Sequence, residues 1–337
     1  MVMATIVAMA LTGCSPALPD QDSSEPVERV EESVADVAPA AEAVASPPEV
    51  AEVFSEPWPS GFTRRELADT ALARTYAFFE ERQQGASGEL LTLVIEDTVD
   101  PFHHEWVTEI ATLTVDSFAP YIVDGTLLVV GNNQEFFEET VRAEGWPYNA
   151  SAIPSGSEVC VAYRGTSWVS NQHFTTDRFP SDKNWSACIP HELFHVAQDT
   201  QDKGPGSQTL PPGHAFYRPL WLIEGSAQFM GHALMSYAGH YEYWGTHYTV
   251  GAGIEDLERP LLKIHESWET GGYESYTMGS LATEYIVASV GVEPLMDIWT
   301  IAGRGASFED AFQQALGVSV VDFYERFDTM NSEMLVQ

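Results

Sequence analysis

The residues with the clearest capacity for chemistry are two histidines that flank a glutamate, in the run His191-Glu192-Leu193-Phe194-His195. Residues four apart lie on one face of a helix, so both imidazoles can reach a single metal ion at about 2.0 Å from each nitrogen. Glu192 projects close to that face, where its carboxylate can take a proton from a water held by the metal. Zinc lowers the pKa of such a water from about 15.7 to about 7, so a carboxylate is a sufficient base. The motif predicts a zinc ion on His191 and His195, with Glu192 as general base.

The neighbouring residues favour a helix for this motif. Pro190 directly precedes it, as proline does in a first helical turn. Leu193, Phe194 and Val196 supply an apolar back face. A chance match is the alternative, expected in about 3% of chains of this composition.

A catalytic zinc site needs a third protein ligand and an open fourth position. The best candidate is Glu224, which lies in the stretch Trp-Leu-Ile-Glu-Gly-Ser-Ala of residues 221–227. Apolar residues flank it at helical spacing, namely Leu220, Ile223, Ala227, Met230 and Leu234. An unpaired carboxylate buried on that face would be costly, and binding zinc removes the cost. The alternative is a glutamate near a helix start, stabilised by the helix dipole.

Together, His-Glu-x-x-His followed by Trp-Leu-x-Glu-Gly-x-Ala resembles the gluzincin superfamily, the thermolysin-like and aminopeptidase-like zinc metallopeptidases of the MA clan. The resemblance covers about residues 63–327 and is firm over residues 191–279. It implies one zinc ion per chain, bound by His191, His195 and Glu224, with Glu192 as base and proton shuttle. It also implies a mixed β-sheet before the metal-binding helix and a mainly helical lobe after it.

A second resemblance concerns Tyr276, in the run Tyr-Thr-Met-Gly that ends at Gly279 and precedes a predicted helical run over residues 280–290. The run is similar to the Tyr-x-x-Gly of aminopeptidase-like gluzincins, whose tyrosine hydroxyl stabilises the oxyanion of the tetrahedral intermediate. The resemblance assigns that role to Tyr276. A phenol suits it, because it is a neutral donor that need not titrate at working pH. A tyrosine of the core or the cleft rim is the alternative.

The sequence departs from the gluzincin pattern at two places, and each departure limits what the resemblance implies. Aminopeptidases carry a Gly-x-Met-Glu-Asn segment that recognises the free amino terminus, whereas residues 163–168 here are Tyr-Arg-Gly-Thr-Ser-Trp. Without that glutamate, aminopeptidase specificity does not carry over. Thermolysin-like enzymes place an aspartate four residues after the third ligand, where this chain has Gln228. We therefore expect Gln228 or Asp199 to support a metal-binding histidine.

Three functions are compatible with these residues. The motifs favour a zinc-dependent peptidase that hydrolyses a peptide or protein substrate. The second is a catalytically silent gluzincin-like module that binds a peptide or a partner protein on the cell envelope. Intact Glu192 argues against a catalytically silent module, because a protein that loses its activity in evolution usually loses the base or a metal ligand first. The third is a zinc hydrolase of non-peptide substrates.

The charge of the chain excludes one class of partner. Its 50 acidic and 15 basic side chains give a formal net charge of −35. Such a surface repels phosphate backbones, so we expect no nucleic-acid partner and no binding to anionic membranes through charge. The most apolar interior stretch, residues 279–292, is interrupted by Glu284, so no membrane-spanning helix is predicted.

The N-terminal residues resemble a bacterial lipoprotein signal peptide. Residues 1–13 are an uncharged apolar run, and Leu-Thr-Gly-Cys at its end is similar to a lipobox, although the Lys or Arg with which such signals begin is missing. The resemblance implies cleavage before Cys14 and a lipid on its thiol, and hence an extracytoplasmic, membrane-anchored protein. Residues 14–60 are expected to form a disordered acidic tether, since residues 15–57 carry eleven acidic side chains against one basic, a net charge of −10.

The other two cysteines, Cys160 and Cys188, form an even pair. In an oxidising compartment such a pair favours a disulfide. Two buried free thiols are the alternative.

Hydrophobic patterning places one folded domain over residues 61–335, with an α/β lobe to about residue 185 and a helical lobe from about residue 190. Helices are predicted over residues 63–84, 104–121 and 134–144, and buried strands over residues 90–95, 126–130 and 159–170. The predicted fold class is α+β and gluzincin-like.

Overall fold

The computed structural model describes residues 58, 60–82, 87–131, 134–146, 160–163, 166–170, 187–201, 219–240, 242–243, 259–266 and 273–335. The predicted signal peptide and nearly all of the predicted tether lie outside these residues, and so does Cys14.

The first part of the described chain builds a small sheet with helices against it. Its helices are α1 (Arg64–Arg82), α2 (Pro101–Phe118) and α3 (Gln134–Ala143), with short 3₁₀ turns at Ser87–Glu89 and Ala119–Tyr121. Its strands are β1 (Leu91–Ile95), β2 (Thr126–Gly131), β3 (Cys160–Tyr163) and β4 (Thr166–Ser170).

The sheet is mixed, as predicted, with strand order β1-β2-β4-β3. The first three of these strands run parallel, with Leu93 beside Leu128 and Val129 beside Trp168. The central strand β2 is buried along its whole length, as expected of a parallel strand covered on both faces.

The prediction of one continuous strand over residues 159–170 was wrong. The segment forms two strands, β3 and β4, that pair antiparallel with Ala162 opposite Ser167. Only two residues, Arg164 and Gly165, connect them, and a two-residue connection with a glycine is a hairpin signal. The apolar and aromatic residues on both sides of that glycine gave the appearance of a single strand.

The second part is mainly helical, which together with the sheet confirms the α+β class. Its helices are α4 (Cys188–Gln201), α5 (Leu220–Tyr237), α6 (Leu261–Glu266), α7 (Tyr273–Val290), α8 (Val292–Gly303), α9 (Phe308–Leu316) and α10 (Val320–Leu335). Helix α5 is buried around most of its circumference and packs against α4 and α7. In the described ranges no single helix is long and apolar enough to span a membrane; the segments Glu274–Val290 and Val292–Gly303 reach that length only as a pair bent by 109°.

A disulfide joins the sheet to the helical part. Cys160, at the start of the edge strand β3, is bonded to Cys188, the first residue of α4, with 6.3 Å between their Cα atoms. Of the two alternatives for this cysteine pair, the structure contains the disulfide. The bond therefore holds the beginning of α4 against the edge of the sheet.

Candidate metal centre

Helix α4 presents two imidazoles to its neighbour α5. The helix begins at Cys188, so Pro190 lies in its first turn, where a missing backbone N–H costs nothing. The opposite face is anchored by Leu193, Phe194 and Val196, all fully buried. His191 and His195 are one turn apart, with their ring centroids 4.7 Å from each other.

His191, His195 and Glu224 bring three ligand atoms together. The two Nε2 atoms lie 3.0 Å apart, and each lies 3.4 Å from the Oε2 atom of Glu224 on α5. A tetrahedral zinc ion, with bonds of about 2.0 to 2.2 Å, separates its ligand atoms by about 3.3 to 3.5 Å. The two separations from Glu224 fit the edges of a zinc tetrahedron, and the two nitrogens lie slightly closer together than such an edge. Two imidazoles with a carboxylate are a zinc donor set. No other group of three such ligands occurs among the residues that the structure describes.

The charges of this cluster favour a cation at its centre. Burial lowers the pKa of His195, but the carboxylates of Glu224 and Glu192 and a hydrogen bond to Gln198 outweigh burial and raise it to about 10. Burial raises the pKa of Glu224, yet the adjacent His195 and His191 hold it far below its usual range. The side chains of His191 and Glu224 are each only 9% exposed. A positive charge shared by these groups is therefore stabilised, and a divalent cation supplies such a charge.

The chain matches no protein-family model, no curated protein and no solved structure. The interpretation of the centre therefore rests on its residues and their geometry.

Glu192 and Tyr276, the two residues expected to take part in catalysis, both lie at the cluster. Glu192 is buried beside His191 in the chain, and its charge contributes to the raised pKa of His195. Tyr276 lies on α7, and its ring stacks on that of His191 with centroids 6.0 Å apart and an interplanar angle of 20°. Tyr276 therefore lies beside the candidate ligand His191, and its role in catalysis stays a prediction.

Tyr276 lies inside a helix rather than before one. Helix α7 begins at Tyr273, so the expectation that the helical run starts at residue 280 was wrong. Gly279, the last residue of the run that was expected to precede the helix, is instead an interior helix residue at a close approach to α5. A Cβ atom on Gly225, the residue after Glu224, would lie 2.1 Å from the carbonyl carbon of Gly279. The two glycines let the helices meet backbone to backbone.

Gln228 was one of two residues expected to support a metal-binding histidine. It contacts a different histidine, His232. The amide of Gln228 donates to Nε2 of His232, 2.6 Å away. Burial and the nearby His191 lower the pKa of His232 to about 3, so this ring is neutral and can accept.

The side chain that contacts Nδ1 of His195 is that of Gln198, a residue that was not predicted from the sequence. Its Oε1 atom lies 2.7 Å from Nδ1 of the His195 ring. The signal in the sequence was the spacing, because residues three apart are neighbours on a helix surface.

Proposed function

We propose that the protein is a zinc-dependent peptidase of the gluzincin type, with one zinc ion held by His191, His195 and Glu224. The observation that carries the proposal is the convergence of three ligand atoms from α4 and α5 within 3.4 Å of one another, close enough to bind one tetrahedral zinc ion. Both helices are embedded in the core, so the three side chains are positioned before any ion binds.

When bound, zinc would supply a Lewis acid that polarises a carbonyl and makes a water acidic enough to attack it. Glu192 would accept the proton of that water and then deliver it to the leaving amine. The hydroxyl of Tyr276 would donate a hydrogen bond to the oxygen on which negative charge develops. The stacking of Tyr276 on His191 supports this role, because it keeps the phenol beside the metal-binding face of α4.

A peptide or protein substrate is the part of the proposal that rests on resemblance. His-Glu-x-x-His, a downstream glutamate ligand and a tyrosine at the same centre are the combination of gluzincin peptidases. The test is cleavage of a broad peptide library by zinc-loaded protein, with a chelator and with zinc restored afterwards. Zinc-dependent cleavage is expected. Fully loaded protein that binds peptides but cleaves none would replace the enzyme with a silent binding module.

We also propose that the enzyme is extracytoplasmic and anchored to the cell envelope by a lipid on Cys14. The disulfide between Cys160 and Cys188 supports this location, because such bonds persist in oxidising compartments. In a bacterial host, a fatty-acid probe should label the wild-type protein and fail to label Cys14→Ser. Equal labelling of the two proteins would contradict the anchor.

A further inference from the structure

The side-chain amide of Gln198 connects the two helices that carry the candidate ligands. Its oxygen contacts Nδ1 of His195 on α4, at 2.7 Å. Its nitrogen donates to the carbonyl of Ile223, at 3.2 Å, and to Oγ of Ser226, at 2.8 Å, both on α5. These two residues flank Glu224 in the chain. The amide is buried, so all three contacts form away from water.

These contacts determine that Nδ1 of the His195 ring keeps its proton. A backbone carbonyl can only accept, so the atom of Gln198 that faces Ile223 must be the amide nitrogen. The amide oxygen therefore faces His195, and it too can only accept. Nδ1 of His195 must then be a donor, so Nε2, the atom directed at His191 and Glu224, is the nitrogen at which a metal would take the place of a proton.

The hydroxyl of Ser226 completes the connection. It accepts from Gln198 and donates in turn to the carbonyl of Leu222, at 2.5 Å. Gln198 is thereby held in one orientation by α5 itself. A change in the separation of α4 and α5 would therefore lengthen the bonds to Ile223 and Ser226 as well as the distances from the histidines to Glu224.

We infer that Gln198 is a positioning residue for the metal centre. It fixes the His195 ring with Nε2 directed at the metal site, and it holds α4 at the distance from α5 at which His195 and Glu224 can bind one ion. This inference rests on the proposed zinc site and not on the proposed peptidase activity. A neutral amide performs the task without adding a negative charge to a centre that already contains Glu192 and Glu224.

A matched control lies one turn further along the same helix. Gln201 donates to the carbonyl of Tyr121, at 2.8 Å, and accepts from the hydroxyl of Thr300, at 3.0 Å. It has the same residue type and similar tertiary hydrogen bonds, but these bonds do not involve a candidate ligand. A substitution of Gln201 therefore measures how the loss of such hydrogen bonds affects the stability of the fold without a change at the metal centre.

The test is the zinc affinity of the full chain, measured by competition with a chromogenic chelator. Gln198→Leu should weaken zinc binding by about 10- to 100-fold, the usual effect of removing a group that orients a metal-binding histidine. Gln201→Leu should bind zinc as wild type does, although both variants lower the thermal stability of the metal-free protein. Gln198→Glu keeps an acceptor for Nδ1 but loses the donor to Ile223 and Ser226, so it should recover only part of the affinity. Equal zinc affinities for the two leucine variants would overturn the inference.

Two further measurements separate the possible failures. If Gln198→Leu does not fold, Gln198→Glu and Ser226→Ala decide, because Ser226→Ala loosens the amide without touching His195 and should weaken zinc binding less than tenfold. Unchanged affinity in both Ser226→Ala and Gln198→Glu would overturn the inference, because both variants weaken the bonds from Gln198 to α5. Wild-type protein that binds zinc but cleaves no peptide would overturn only the peptidase, whereas wild-type protein that binds no zinc would overturn both.

Discussion

Gly279 lies directly against Gly225, so that α7 and α5 touch through their backbones. A Cβ atom on Gly279 would lie 2.1 Å from the carbonyl oxygen of Trp221 and 2.9 Å from Cα of Gly225. Glu224 precedes one of these glycines, and Tyr276 lies one helical turn before the other. The contact therefore sets the position of Tyr276 relative to Glu224, the candidate metal ligand.

Gly279→Ala should destabilise the protein, because neither helix backbone can move aside without disturbing the core. Overpacking of this kind costs about 1 to 3 kcal/mol in excess of the helix propensity that alanine gains. We expect a lower thermal unfolding midpoint and a reduced kcat. Gly88→Ala is the control, because nothing lies within 4 Å of a Cβ atom there. A Gly279→Ala protein as stable and active as Gly88→Ala would contradict this account of the contact.

The disulfide should stabilise the protein because it closes the loop between its two cysteines in the unfolded state. Cys160 and Cys188 are 28 residues apart, and a loop of that length is expected to contribute about 3 to 4 kcal/mol to the free energy of unfolding. The double variant Cys160→Ser/Cys188→Ser should unfold at a lower urea concentration than the oxidised wild type. A reducing agent should lower the midpoint of the wild type and leave that of the variant unchanged. An unaltered wild-type midpoint after complete reduction would show that the bridge is not stabilising.

The sequence was informative where the pattern is local. His191 and His195 could be assigned to one helix face because a four-residue spacing is decided within a single turn. Glu224 could be assigned because an acidic residue in an apolar helix stands out. The helices of the first lobe were predicted to within three residues for the same reason, since their periodicity is contained in each segment.

What the sequence did not reveal depends on which segments meet. Gln198 has a role only because α5 passes beside α4 and offers Ile223 and Ser226 to its amide. Gly279 was expected before the helix and not inside it, and it is small because the backbone of another helix lies against it. The hairpin of β3 and β4 was missed because apolar and aromatic residues lie on both sides of the connection and the signal was a single glycine.

Glu192→Gln removes the proposed base while it preserves the size of the side chain. Zinc content and fold should be retained, and turnover should fall by about 10² to 10⁴, the usual effect of losing general-base catalysis. The measurement is kcat on a peptide cleaved by the wild type, beside the zinc content of the same preparation. Wild-type turnover by Glu192→Gln would remove this residue from the mechanism.

Tyr276→Phe deletes one hydroxyl and keeps the ring that stacks on His191. If the hydroxyl stabilises the oxyanion, kcat should fall by up to about 10² to 10³ with a smaller change in KM. Steady-state kinetics at full zinc occupancy separates the two parameters. A change confined to KM would indicate that Tyr276 contacts the substrate without stabilising the transition state.

The most direct test of the central claim is the zinc content of purified wild-type protein and of Glu224→Ala. We predict one zinc ion per wild-type chain and a severe loss in Glu224→Ala, because only two ligands remain. Glu293→Ala is the matched control, since this glutamate pairs with Arg82 at the surface of α8 and should leave the zinc content unchanged. Full retention of zinc by folded Glu224→Ala would contradict the assignment of the metal centre.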